Sequence, residues 1–106
     1  MEETQYHQLA NPEMEKLTDD LEALEEKCDI SVEYDSGVLS VTMPDDREYI
    51  INKHTPSRQI WVSSPYTGAS YFEHRDNGWL LKRSTTKLDF ENLYDFITAE
   101  INAHLQ

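Results

Sequence analysis

The chain has one cysteine, Cys28, among its 106 residues. One thiol forms no internal disulfide and supplies no thiolate set for a zinc ion or an iron–sulfur cluster. No base can be placed beside it, so Cys28 reads as a half-buried residue just past a helix end. Long apolar runs are missing too: none approaches the roughly 20 residues that cross a bilayer. The N-terminus, MEETQYHQLA, has neither the apolar core of a signal peptide nor the arginines of a transit peptide. A chain native from Met1 therefore stays where it is made, which is the cytoplasm if it is bacterial. The alternative is the mitochondrial matrix, after loss of a targeting segment. No Gly-rich phosphate loop, nucleophile elbow or Cys/His pair is present, and nothing supports a hydrolase. Basic residues are also scarce, nine against 21 acids. A net charge of −12 argues against nucleic acid, because phosphate is repelled. A basic protein or a metal cation suits such a chain better.

The charge is unevenly spread. Residues 1–35 hold twelve acids against Lys16 and Lys27, whereas residues 47–87 hold seven bases against three acids. The length suits one domain with one core, here taken as residues 1–106.

The first segment reads as a helix over about residues 6–27, with Met14, Leu17, Leu21 and Leu24 as its apolar stripe. Pro12 is tolerable only near a helix start, so the helix kinks there or begins nearby. Short alternating segments follow. Ile30, Val32 and Tyr34 form one strand; Leu39, Val41 and Met43 a second; Tyr49 and Ile51 a third; Ile60 and Val62 a fourth. A short strand at Tyr71-Phe72 and another around Trp79 to Leu81 complete the run, joined by a hairpin turn at Asn77-Gly78. Asp89 is the expected N-cap of a last helix in which Leu93, Ile97 and Ile101 repeat, with Phe90 and Leu105 extending the stripe. Helix, antiparallel strands, helix predicts an α+β fold. It is a two-layer α-β sandwich, with two terminal helices on one face of the sheet and the other face open to water.

Two features carry chemistry. On a helical wheel counted from Met14, Glu15, Asp19, Glu22 and Glu26 fall at about 100°, 140°, 80° and 120°, opposite the apolar stripe. Asp29 and the outward residues Glu33 and Asp35 continue this ridge. Surface helices usually interleave lysine with glutamate, yet the stretch from Glu13 to Asp35 has ten acids and two bases. Like charges four apart each cost about 0.2–0.5 kcal/mol, so the ridge destabilises its helix by about 1 kcal/mol. A ridge kept at that cost suggests a function. Its hard oxygens suit Ca, Mg, Mn or Fe ions. With no DxDxDG loop and no closed cage, binding would be weak, multiple and exchangeable. His7 is a candidate additional ligand.

The second feature is Trp61. Alternation puts Ile60 and Val62 inside and leaves Gln59, Trp61 and Ser63 on the polar face. Together with Asn52, Lys53 and Arg58, this is the composition of an interface anchor. The competing reading has Trp61 lying flat on the sheet under a neighbouring side chain.

The stretch INKHTPSRQIWVSSPYTG (51–68), with SGVLSV before it, NGW after it and the acidic first helix, resembles the frataxin/CyaY family. ETQYHQLA and the compact link from helix to first strand look like its bacterial branch, and SSPYTG looks like mitochondrial and α-proteobacterial members. The resemblance implies an α-β sandwich that binds iron (Fe²⁺/Fe³⁺) weakly through the first helix and strand. It implies docking on the cysteine desulfurase–scaffold complex that builds iron–sulfur clusters, as a monomer with iron-driven oligomers. By position, Glu15, Asp19, Glu22, Glu26, Asp29 and Glu33 match the family's acidic ridge. Asn52, Gln59 and Trp61 match its sheet-face contacts. The family also suggests a different activity, a ferroxidase that oxidises Fe²⁺ on the ridge and stores iron. A bundle-type di-iron oxidase needs inward Glu-x-x-His pairs, and none is present. Two departures stand out. Tyr71 occupies the place of an arginine in mitochondrial members, and KRSTTKLDFEN (82–92) is longer than the usual pattern.

Overall fold

The computed structural model describes residues 1–105. Helix α1 spans Glu3–Glu25 and helix α2 Leu93–His104. Between them run β1 (Ser31–Asp35), β2 (Val38–Thr42), β3 (Glu48–His54), β4 (Gln59–Ser64), β5 (Gly68–Arg75) and β6 (Gly78–Ser84). The strands form one antiparallel sheet in sequence order, and both helices cover the same face. This is the expected two-layer α+β sandwich.

The alternating pattern translates directly into burial. Leu39, Val41, Tyr49, Ile51, Ile60, Val62 and Phe72 point inward and are buried. They meet Met14, Leu17 and Leu21 from α1, and Leu93, Phe96, Ile97 and Ile101 from α2. The turn at Ser36-Gly37 has positive φ at both residues (53° and 82°), the geometry that closes a two-residue hairpin with the correct strand twist.

Several boundaries differ from the expectation. Helix α1 begins at Glu3, runs through Pro12 without ending there and stops at Glu25. Its first turns are held from outside. Tyr6 and Ala10 are fully buried, the Tyr6 hydroxyl donates to the Gln59 carbonyl at 2.7 Å, and Trp79 Nε1–H donates to the Leu9 carbonyl at 3.2 Å. Burial pushes the Tyr6 phenol up to about 12. The N-cap of α2 is Asn92, whose side chain accepts from the Asp95 amide at 3.1 Å. Asp89 lies earlier, because residues 91 and 92 are still held against β6: the Leu81 amide donates to the Glu91 carbonyl at 2.7 Å. Phe90 is therefore outside the helix and 40% exposed. Strand β5 is eight residues long rather than two. The β5–β6 turn is Asp76-Asn77, with φ of 53° and 63°, one residue earlier than Asn77-Gly78. Gly78 already pairs with Arg75.

The SSPYTG turn is locked to α2 through one carboxylate. Glu100 accepts from the Tyr49 hydroxyl at 2.8 Å, from Ser64 Oγ and from Thr67 Oγ1 at 3.0 Å. Ser64 Oγ in turn accepts from the amides of Tyr66 and Thr67. Burial and the bond to Glu100 hold the Tyr49 phenol well above the usual tyrosine range.

Candidate functional site: an acidic edge and an aromatic sheet face

The helical period of α1 puts Glu15, Asp19 and Glu22 on the surface, the pleat of β1 puts Glu33 there, and Glu26 and Asp29 lie in the link between the two elements; all six are exposed. None forms an ion pair or a side-chain hydrogen bond among the described residues. Neighbouring carboxylates have other duties. Glu25 accepts from the Val32 amide at 2.8 Å and so ties the end of α1 to β1, and Asp20 accepts from the Tyr94 hydroxyl. Burial, and after it the Glu15 charge, raise the Tyr34 phenol above its ordinary value. Pairs four apart, Glu15–Asp19 and Glu22–Glu26, set their Cβ atoms about 5–6 Å from each other. Among the described residues, no three His, Cys, Asp or Glu side chains converge on one metal position. The ridge is a string of hard oxygen donors with no cage. His7 stands apart from it, its Nδ1 3.0 Å from Lys53 Nζ.

The open sheet face is built by β3, β4 and β5. Asn52, Trp61 and Tyr71 are successive cross-strand partners. Trp61 is half-buried rather than freely exposed. His54 stacks on it with ring centroids 3.6 Å apart, Tyr71 meets it edge-on at 5.2 Å, and its Nε1–H donates to Gln59 Oε1 at 2.8 Å. So Trp61 does lie under a neighbouring ring, and it is oriented by one of the amides that flank it. Asn52, Gln59 and Trp61 share this face. Lys53 does not: alternation turns it towards the helices, where its Nζ meets His7 and Asn11 of α1. Arg58 has a left-handed backbone (φ 56°) after a single 3₁₀ turn, Thr55–Ser57, and its guanidinium donates back to the Thr55 carbonyl. Sequence reasoning missed His54 as a member of this face. Its signal was the two-residue step from Asn52.

A polar cleft separates α1 from the β5–β6 turn and the start of α2, lined by Glu13, Lys16, His74, Trp79, Tyr94 and Asp95. Burial there raises the Glu13 carboxyl above its ordinary value, against the pull of Lys16. The Lys16 ammonium sits 3.9 Å over the Tyr94 ring. No helix among the described residues is long and apolar enough to cross a membrane.

Comparison with known proteins gives a consistent picture. A family model described as a frataxin-like domain matches residues 1–106. The mitochondrial frataxin homolog of Saccharomyces cerevisiae is 35% identical over 99 residues, which is 91% of this chain and 54% of that protein. Mitochondrial frataxin of Arabidopsis thaliana is 36% identical over 93 residues, 83% of this chain and 50% of that one. The chain thus spans about half the length of the curated relatives it matches. Among solved structures, trimeric yeast frataxin complexed with ferrous iron superposes with a TM-score of 0.77 at 32% identity, covering 92% of this chain and 85% of that one. A frataxin from Psychromonas ingrahamii shares the fold, with a TM-score of 0.80 at 19% identity and coverage of 98% and 91%.

Proposed function

The chain belongs to the frataxin family, and from that premise we propose that it is an iron-binding protein that docks on a cysteine desulfurase–scaffold complex and regulates iron–sulfur cluster assembly. The observation that carries this reading is the ridge. Six carboxylates stand exposed along α1, β1 and the link between them, and none forms an ion pair among the described residues. Uncompensated anionic surface of this kind has two natural counter-charges, a hard metal cation and a basic protein face. Iron is cargo here. One or two carboxylates hold Fe²⁺ at a time, the remaining coordination sites stay with water, and the ion leaves easily. The ferrous complex of the yeast relative supports iron as the metal. Its trimeric state supports oligomers of this chain.

The same ridge attracts a basic surface of the desulfurase, and long-range attraction speeds encounter in a salt-dependent way. The Asn52–Gln59–Trp61 face meets the scaffold. Its indole is already fixed by His54, Tyr71 and Gln59, so little side-chain freedom is lost on binding. Ferroxidase activity is the weaker reading, because separated carboxylates bring no two iron ions into one reactive pair.

The test is the rate of cluster formation on purified scaffold with desulfurase, Fe²⁺ and cysteine. The arms are no addition, the unmodified chain, the double variant Asp19→Lys/Glu22→Lys, and Trp61→Ala. The unmodified chain should change the rate and both variants should lose that change. A rate indifferent to the unmodified chain overturns the proposal.

A further inference from the structure

A single cross-strand row runs over the open sheet face and takes one residue from every strand. In register from β1 to β6 it reads Asp35, Val38, Asn52, Trp61, Tyr71 and Arg83. Its last member reaches that face through an irregularity. Pairing between β5 and β6 shifts between Tyr71 and Phe72: Phe72 pairs with Leu81, but Tyr71 pairs with Arg83. Lys82 is the extra residue of a β-bulge. Before the bulge, Trp79 is buried and Leu81 packs against the core, so both face the helices. Strict alternation would send Arg83 to that same side. The bulge shifts the phase by one and turns Arg83 to the open face, which is what bulges do to a side chain that must be re-aimed.

There the Arg83 guanidinium lies 4.6 Å from the Tyr71 ring centroid. Its flat face is used and its N–H edge is not. Arg83 is exposed, and it forms no ion pair and donates no hydrogen bond among the described residues. Glu73, an acid on the same face of β5, is already held by Arg75 at 3.1 Å. Asp35 sits at the far end of the row, five strand spacings or roughly 24 Å away.

We propose that Arg83 is the carboxylate-binding contact of this docking face: the partner protein that covers Trp61 presents an Asp or Glu side chain to the guanidinium edge. The inference rests on the docking reading above and adds the chemistry of the partner. Charge complementarity selects an acidic protein segment as the occupant. At the β6 end of this face Arg83 and its neighbour Lys82 are exposed, while the nearby acid Glu73 is paired with Arg75, and the planar fork of arginine matches a carboxylate in two parallel hydrogen bonds. The partner's acid belongs about two strand spacings, roughly 10 Å, from the group that sits on Trp61. With an anion at the β1 end and a cation at the β6 end, the row also fixes direction. A partner turned end for end about Trp61 would set its carboxylate over Val38 of β2, next to Asp35 instead of an arginine.

Affinity for the purified desulfurase–scaffold complex tests this, with the unmodified chain, Trp61→Ala, Arg83→Lys and Arg83→Glu, each checked for an unchanged melting temperature. Arg83→Glu should weaken binding by about tenfold or more. Arg83→Lys should fall between the two, because it keeps the charge and loses the fork. Unmodified affinity in both Arg83 variants, with binding lost in Trp61→Ala, overturns the assignment of Arg83 and leaves the docking face standing. Equal binding by all four chains removes the docking face and Arg83 together.

Discussion

At the scale of single residues, two buried serines one strand apart have opposite situations. Ser64 Oγ receives the Tyr66 and Thr67 amides and donates to Glu100, so its hydroxyl organises the turn between β4 and β5 and ties it to α2. Ser70 Oγ is buried without a hydrogen-bond partner among the described residues. A buried hydroxyl that lost its bonds to water and gained none costs about 1–3 kcal/mol, whereas removing one member of a satisfied set leaves its partners wanting by a similar amount. Ser64→Ala should therefore lower the melting temperature by several degrees, and Ser70→Ala should hold or raise it. Calorimetry on the two variants checks this. A drop with Ser70→Ala as large as with Ser64→Ala would mean that Ser70 has a partner, such as a buried water. Neither role can be read from the sequence, where both positions are serines in alternating strands. What decides them is the position of Glu100, on another element 36 residues away from Ser64.

At the scale of elements, α1 shows what local rules supply and where they stop. Its apolar stripe and acidic ridge follow from the 3.6-residue period and are legible without a structure. Its course through Pro12 is not. Proline at that place removes the bond from its own nitrogen to the Gln8 carbonyl, and the ring crowds that carbonyl. Tertiary contacts hold the weakened turns: Tyr6 bonds to β4, Ala10 is buried, and the Trp79 indole takes the Leu9 carbonyl. Because these contacts do not depend on the proline, and Pro12 is exposed, Pro12→Ala should restore the helical bond. Proline costs about 3 kcal/mol against alanine inside a helix, and part of that is offset by its stiffening of the unfolded chain. A net gain of about 1–2 kcal/mol, or several degrees in melting temperature, is expected. A loss would show that the proline ring's packing in the cleft beside Glu13 and Trp79 outweighs the missing bond. The strands divide in the same way. Their inward residues alternate as the sequence says, which is why Asn52, Gln59 and Trp61 share one face. Arg83 could not be assigned, because the bulge at Lys82 reverses the phase of alternation, and a bulge depends on how two strands register. Lys53 shows the converse. It reads as a flank of Trp61, and strict alternation carries it to the helix side. The cap of α2 moved from Asp89 to Asn92 for a related reason: residues 91 and 92 are held against β6, and the helix cannot begin until the chain leaves that strand.

At the scale of the whole molecule, the fold gathers the acids of residues 1–35 along one edge, where ten of them lie between Glu13 and Asp35. Folding sets the Cβ atoms of ridge neighbours about 5–6 Å from each other, whereas the unfolded chain lets their carboxylates separate. The native state therefore contains repulsion that the unfolded state lacks. Anything that screens or neutralises it should stabilise the fold. Sodium chloride acts by screening alone and should raise the melting temperature gradually. A hard divalent cation such as Ca²⁺ or Fe²⁺ should do more at matched ionic strength. A double charge can bridge Glu15–Asp19 or Glu22–Glu26, and an ion bound only to the native state adds its binding free energy to stability. The excess over sodium should be modest and should grow steadily through millimolar concentrations, as expected for several weak sites rather than one tight one. It should vanish in Asp19→Lys/Glu22→Lys. That variant should also be the more stable chain without divalent ions, since each lysine turns a repulsive neighbour into an attractive one. If divalent and monovalent salts raise the melting temperature equally at the same ionic strength, the ridge serves protein docking alone and iron is carried elsewhere. If the excess survives the double reversal, the cations bind outside the ridge, and the uncompensated charge along α1 and β1 needs another explanation.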